Sequence, residues 1–251
     1  MTEEILNQLQ LRELFHLEFL RWFVRKAKPD TYALKGGSNL RFFFGSIRYS
    51  EDMDLDIAGV KVFTLRENVM KILRTQALRD SLKPFGIEKI VPPDITKAKQ
   101  TETTQRFKVH LITSAGEDLF TKIEFSRRGF KEEAVIESVS EELMRRYKMP
   151  PILVAHYGAI SAVKQKIEAL AGRACVQARD IFDIFVLSTQ THAAAYEEKI
   201  LKRARQNLYE VTFEQFRDTV LDYLTPEDRK VYDSAAAWDE IRLRCAEFLE
   251  K

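Results

Sequence analysis

A chain of 251 residues with 45% hydrophobic and 31% charged side chains can bury one large core or two modest ones, and its 9 glycines and 7 prolines exclude a disordered or fibrous protein. Lys and Arg total 40 against 38 Asp and Glu, a balance that by itself does not announce a nucleic-acid binder. The opening Met1-Thr2-Glu3-Glu4 is acidic where a signal peptide is basic, and no apolar run approaches the ~20 residues of a membrane span, so a cytoplasmic protein with no membrane contact is expected. Cys175 and Cys245 form neither a CxxC pair nor a disulfide framework and read as packing thiols.

From Glu3 to about Lys28, Leu11, Phe15, Phe19, Trp22 and Phe23 recur at helical spacing, and Pro29 stops the helix. Tyr32-Ala33-Leu34 predicts a short strand that runs into Lys35-Gly36-Gly37-Ser38, a glycine turn with Ser38 placed to cap a helix over Leu40 to Phe44. Alternation follows: Met53, Leu55 and Ile57 point one way, Asp52, Asp54 and Asp56 the other, the period of a half-buried strand. Val62 to Leu82 reads as one helix closed by Pro84, and alternating segments around Ile87 to Val91, Arg106 to Thr113 and Leu119 to Phe125 complete an antiparallel or mixed sheet. Beyond Gly129 strand signals nearly vanish. Helices are expected near Val154 to Leu170, Ala178 to Leu187, Ala194 to Leu208, Phe213 to Leu224 and Ser234 to Leu249, which puts a domain boundary near residue 130.

The chemistry concentrates on the aspartate strand. Asp is disfavoured in strands, and alternate residues on one face lie only ~7 Å apart, so something must offset the repulsion. A hard divalent cation does so while keeping positions open for substrate phosphates. The first three ligand positions of an EF-hand are matched, but its Gly would fall at Ile57 and its closing Glu at Phe63, so that site is absent. The bland reading is an edge strand guarded by charge. The Gly36-Gly37 turn weighs against it, because glycines between a strand and a helix let backbone N–H groups approach phosphate; turn and DxD strand together supply amides for phosphate oxygens and carboxylates for a metal. Neither GxxxxGK[ST] nor GxGxxG occurs.

Leu34-Lys35-Gly36-Gly37-Ser38, followed by Gly45, Arg48 and Ser50-Glu51-Asp52-Met53-Asp54, resembles the first signature of the AbiEii/AbiGii toxin family of nucleotidyltransferases, KGG[TS]-x-L then R-x-S-x-D-[IL]-D, from which Met53 departs. Lys166, Ala169-Leu170, Arg173 and Arg179-Asp180-Ile181-Phe182-Asp183 resemble the second, K-x-x-AL-x-x-R then RD[LI][FY]D. The resemblance spans roughly Lys35 to Leu187 and implies an α+β fold: a polymerase-beta-like core with a mixed sheet over residues 1–130 and a mainly helical domain over 131–251.

Carried over by position, the resemblance makes Asp52 and Asp54 catalytic metal ligands for Mg²⁺ or Mn²⁺, places Ser50 beside the nucleotide phosphates, and makes Gly36, Gly37 and Ser38 the phosphate-binding turn. Glu124 is the choice for a third metal carboxylate, with Asp118 of the same parity as substitute, and Asp56 is a neighbour of the site. Lys166 and Asp180 resemble the family's second catalytic pair; a lysine can neutralise charge developing on a triphosphate and an aspartate can orient it. Arg48 and Arg179 suit a phosphate, or a carboxylate gripped by both guanidinium edges. His16, His110, His156 and His192 have no paired-ligand spacing and read as packing or surface residues. The basic runs Arg127-Arg128 with Lys131, Arg145-Arg146 with Lys148, and Lys199, Lys202, Arg203 and Arg205 read first as solvated faces.

The function implied is transfer of a nucleoside monophosphate from an NTP to an acceptor, in some family members the tRNA 3' end, by a toxin paired with a separate antitoxin. The alternatives are a non-catalytic RNA- or protein-binding module, and an enzyme modifying a small molecule or protein.

Overall fold

The computed structural model describes residues 6–96, 98–191 and 196–250. Its backbone divides into two compact units, the first comprising Met1–Ser38 and Ser50–His156, the second Asn39–Tyr49 and Tyr157–Lys251.

The first unit is built on a mixed sheet, and the whole is α+β as expected. Helix α1 (Gln8–Phe23) starts at a capping box in which the Asn7 and Gln10 side chains satisfy each other's backbone N–H groups. It ends five residues earlier than predicted: Lys28, preceding Pro29, is extended, as proline requires of its neighbour, and Pro29–Thr31 forms a 3-10 turn. Strands β1 (Tyr32–Lys35), β2 (Asp52–Ile57), β3 (Ile87–Val91), β4 (Thr104–Thr113) and β5 (Asp118–Ser126) fall where alternation put them. Between β1 and β2 lies α2 (Gly36–Phe43), and between β2 and β3 lie α3 (Val62–Arg74) and α4 (Gln76–Leu82). The single helix expected from Val62 to Leu82 is broken at Thr75, which is extended and ties its hydroxyl to the Lys71 carbonyl. Beyond the break, buried Leu78 and Leu82 fall out of helical phase with Leu65, Val69, Ile72 and Leu73, a signal that the single-helix reading overlooked.

After β5 come β6 (Ala134–Ser138), α5 (Glu141–Arg146) and β7 (Leu153–Tyr157), none of them predicted. Among the described residues the strand order is β3-β4-β5-β2-β1-β7-β6, with β2 parallel to β5, β1 parallel to β7, and β1 antiparallel to β2. These late strands carry the first unit to His156, past the boundary expected near residue 130. Strand β7 was read as the start of a helix because a strand between two others shows a continuous apolar run rather than alternation.

The core of this unit lies between α1 and one face of the sheet. Phe23 packs its ring 5.2 Å from Tyr32 and 5.4 Å from Phe125, beside buried Met53, Leu55 and Ile123. Since strand side chains alternate, Asp52, Asp54, Lys122 and Glu124 project from the opposite face.

The second unit is helical: α6 (Ala159–Gly172), α7 (Ala178–Ser188), α8 (Glu198–Leu208), α9 (Phe213–Thr219), α10 (Pro226–Tyr232) and α11 (Ala235–Glu250). Trp238 stacks on Phe216 at 4.5 Å and donates its indole N–H to the Val211 carbonyl. Cys245 is buried, with its thiol on the Ile181 carbonyl, whereas Cys175 is exposed; both are free. Residues 39–49 belong to this unit through Leu40 in its core, the Asn39 amide donating to the Tyr157 carbonyl at 2.8 Å, and the Tyr49 N–H donating to the Tyr223 carbonyl at 2.8 Å. Among the described residues no helix is long and apolar enough to cross a membrane.

Candidate active site

Gly36 has φ +72, a left-handed conformation open to glycine at little cost, and it turns the chain from β1 directly into α2. A Cβ there would meet Asp54 Oδ2 at 3.1 Å, so the turn is glycine for close approach as well as for conformation. Glycine turn and DxD strand are therefore adjacent in space. The sharp turn leaves Ser38 inside the helix, so the expected cap is absent; its hydroxyl instead donates to the Asp52 carbonyl at 2.9 Å. The Ser50 hydroxyl donates to the same oxygen at 2.8 Å, filling both of its lone pairs and fixing the entry to β2 from two sides.

A buried relay holds that entry from below. Thr121 donates its hydroxyl to the Glu51 carbonyl at 2.7 Å and so accepts from His16 Nε2, 2.7 Å away, which puts a proton on Nε2. Burial, helped by Arg12, lowers the His16 pKa from 6.5 to about 3. An unfolded chain takes up this proton below its ordinary value and the folded one does not, so stability is full above pH 6.5 and drains as the pH falls toward 3. About 2 kcal/mol from this group alone is expected to be lost by pH 5. Chemical denaturation between pH 7 and 5 checks it: His16→Gln, which keeps an amide donor, should flatten the acid limb, and an unchanged slope would refute the assignment.

On the carboxylate face the parallel register sets Asp52 beside Lys122 and Asp54 beside Glu124. The Lys122 ammonium lies 2.8 Å from Asp52 Oδ2 and 3.8 Å from Glu124 Oε2. Burial raises the Asp54 pKa above its ordinary value, Lys122 pulls it back, and Asp52 and Glu124 push it up further. For Lys122 burial lowers the value, but its hydrogen bond to Asp52 and the charges of Asp52, Asp54 and Glu124 raise it overall, so the ammonium stays charged. Asp56, on the same face, is buried and paired with Lys35.

Glu124 leans toward Arg106, its partner across β4, at 2.7 Å. Among the described residues no three or more His, Cys, Asp or Glu side chains converge on a point fit for a metal ion, so the expected three-carboxylate set is not assembled. Asp118 sits beyond the stretch of β5 that pairs with β2 and binds His110 at 2.6 Å, which removes it as substitute. Asp52 and Asp54 remain, two hard oxygen donors of the kind that hold Mg²⁺ or Mn²⁺ together with substrate phosphate and water.

Within the helical unit Asp183 and Asp180 anchor an ion cluster. Arg48 grips Asp183 with Nη2 at 2.9 and 3.0 Å from its two oxygens and Nε at 3.2 Å, the geometry of a braced carboxylate. Lys166 lies 2.7 Å from Asp183 and 3.2 Å from Asp180, and Arg173 2.7 Å from Asp180. Both aspartates are fully buried. Burial raises the Asp183 pKa, but Arg48 and Lys166 outweigh it and hold the carboxyl below its ordinary value; burial lowers that of Lys166, but Asp183 and Asp180 carry it above.

Lys122 and Asp183 are the two residues that motif reading passed over. Each carried a signal: Lys122 shares the parity of Glu124, and Asp183 closes the second signature. The basic runs are mostly solvated as expected, with Arg127 and Arg205 as part-buried exceptions. Arg145 and Arg146 pair with Glu141 and Glu142 on an exposed helix, and Lys199, Lys202 and Arg203 are exposed. Arg127 bonds Gln105 and the Val60 carbonyl, and Arg205 the Leu249 carbonyl. His192 lies outside the described residues.

Residues 18–251 match the family described as "Nucleotidyl transferase AbiEii toxin, Type IV TA system". The chain belongs to this family. AbiEii membership makes it a nucleotidyltransferase of the toxin class, with an NTP as substrate and an antitoxin as partner. Solved structures share the AbiEii fold at low identity. JHP933 from Helicobacter pylori superposes with TM-score 0.62 at 19% identity, over 98% of this chain and 92% of that one. MenT4, a nucleotidyltransferase toxin from Mycobacterium tuberculosis, does so with TM-score 0.59 at 14% identity, over 97% and 84%. No curated protein matches this chain in sequence.

Proposed function

We propose that the enzyme binds its NTP at the Gly36-Gly37 turn and the Asp52-Met53-Asp54 strand, and that it transfers the nucleoside monophosphate to an RNA hydroxyl, the 3' end of tRNA. One observation carries the site: a glycine at positive φ whose missing Cβ leaves 3.1 Å to the Asp54 carboxylate, so phosphate-facing backbone and metal-facing carboxylates share one edge.

In the transfer the acceptor oxygen bonds to the α-phosphorus, the bond from that phosphorus to the pyrophosphate oxygen breaks, and the hydroxyl proton is released. A divalent cation on Asp52 and Asp54, Mg²⁺ or Mn²⁺, supplies charge neutralisation at the phosphates. The chain's own part is positional. Ser38 and Ser50 lock the Asp52 backbone, and the His16–Thr121 relay locks Glu51, so the two carboxylates are held before substrate arrives. For Lys166 and Asp180 a role in turnover rests on the second signature and on a charged lysine fixed by two buried carboxylates. Arg48 we assign to bracing Asp183. The reading places the protein in the cytoplasm, where NTPs and tRNA are within reach.

Incubation with each labelled NTP, Mg²⁺ and either total tRNA or tRNA-free cell extract tests this. Label is expected in the tRNA band, and induced expression is expected to arrest growth with nucleotides added to tRNA 3' ends. Label confined to protein or small molecules would keep the enzyme class and discard the tRNA acceptor.

A further inference from the structure

Lys122 is unexplained by the reading above. It stands on β5 directly beside Asp52, on the face that carries Asp54 and Glu124, and its Nζ lies 2.8 Å from Asp52 and 3.8 Å from Glu124. Like charges on neighbouring positions of one sheet face repel, and with Asp56 paired to Lys35 and Glu124 to Arg106, the Asp52 and Asp54 pair still needs a cation. The chain provides one itself. The side chain is 27% exposed, so the ammonium can leave for solvent without unpacking the core.

We propose that Lys122 is a resident counter-ion which holds the cation's place in the substrate-free enzyme and must be displaced before a divalent metal binds Asp52. The inference rests on the cation site proposed above. An ammonium does not stay within bonding distance of a carboxylate oxygen that a divalent ion occupies, because the repulsion between the two cations a few ångströms apart exceeds what the ammonium gains from that oxygen. Metal alone must evict Lys122 into water. Metal arriving with an NTP offers the displaced ammonium a phosphate in exchange. The free enzyme therefore binds divalent ions weakly and takes them up with nucleotide, which keeps the carboxylates aligned between turnovers.

Calorimetric titration of the full chain with Mn²⁺ alone tests this, comparing wild type, Lys122→Gln and Asp52→Asn. Lys122→Gln is expected to bind Mn²⁺ about tenfold more tightly than wild type, since the competing charge is gone and the site is otherwise intact. Asp52→Asn is expected to bind none. In parallel, acetylation of wild-type lysines read by mass spectrometry should show Lys122 becoming more reactive on Mn²⁺ saturation while exposed Lys89 is unchanged. Equal or weaker Mn²⁺ binding by a folded Lys122→Gln protein overturns the inference and leaves the metal site standing. Failure of wild type and Lys122→Gln alike to bind Mn²⁺ overturns both. Should the variant not fold, the labelling decides: unchanged Lys122 reactivity with Mn²⁺ bound overturns the proposal.

Discussion

Asp54→Asn and Asp52→Asn should each lower nucleotide transfer by about a thousandfold or more, the loss expected when several kcal/mol of charge stabilisation at the phosphates disappears. Their stabilities should differ in sign. Burial raises the Asp54 pKa and the charges of Asp52 and Glu124 add to it, against Lys122, so ionising this carboxyl in the metal-free protein works against folding at neutral pH. Asp54→Asn removes that charge and should raise the melting temperature measured in chelator. Asp52→Asn costs Lys122 its 2.8 Å partner and should not. Near-full transfer by either variant, at matched folded concentration, would remove the carboxylate strand from the active site.

The second large effect belongs to Asp183, in the helical unit. Asp183→Ala is expected to destabilise the protein by about 3–5 kcal/mol, because it strands the Arg48 guanidinium and removes one of two carboxylates from Lys166 without a replacement. Pairing with Arg48 and Lys166 keeps the Asp183 carboxyl below its ordinary value, so its contribution is complete at neutral pH and is lost only as the pH drops through and below the usual carboxylate range. Urea denaturation at pH 7 gives the size. The double variant Arg48→Met/Asp183→Leu should recover much of the loss, as apolar replacement of a buried ion pair often does. A single-variant cost under about 1 kcal/mol would mean that water reaches the cluster.

Local pattern was enough for the part of the site that is local. The Lys35-Gly36-Gly37-Ser38 turn, the alternation of β2 and the parity of Glu124 with the aspartates all follow from spacing, and the structure has them. What failed depended on contacts distant in the chain. Ser38 looked like a helix cap because its neighbours suit one, yet its hydroxyl donates to the carbonyl of Asp52, 14 residues on. Arg48 looked equally suited to phosphate or carboxylate, and its partner lies 135 residues away. Strand β7 was taken for helix because it is buried between two strands, one of which, β1, comes from far along the sequence. Lys122 lacked meaning until the parallel pairing of β2 with β5 put it next to Asp52.

The division of the chain also sets an order of events at the ribosome. Residues 39–49 belong with the helices that begin after His156, so Arg48 emerges long before Asp183 exists to receive it. At about 5–20 residues per second, a span of 135 residues leaves that guanidinium waiting roughly 7 to 27 seconds. A nascent chain carrying the glycine turn and both aspartates therefore still lacks a finished helical half, and a contiguous fragment cut near residue 157 loses either Leu40 and Arg48 or everything they pack on.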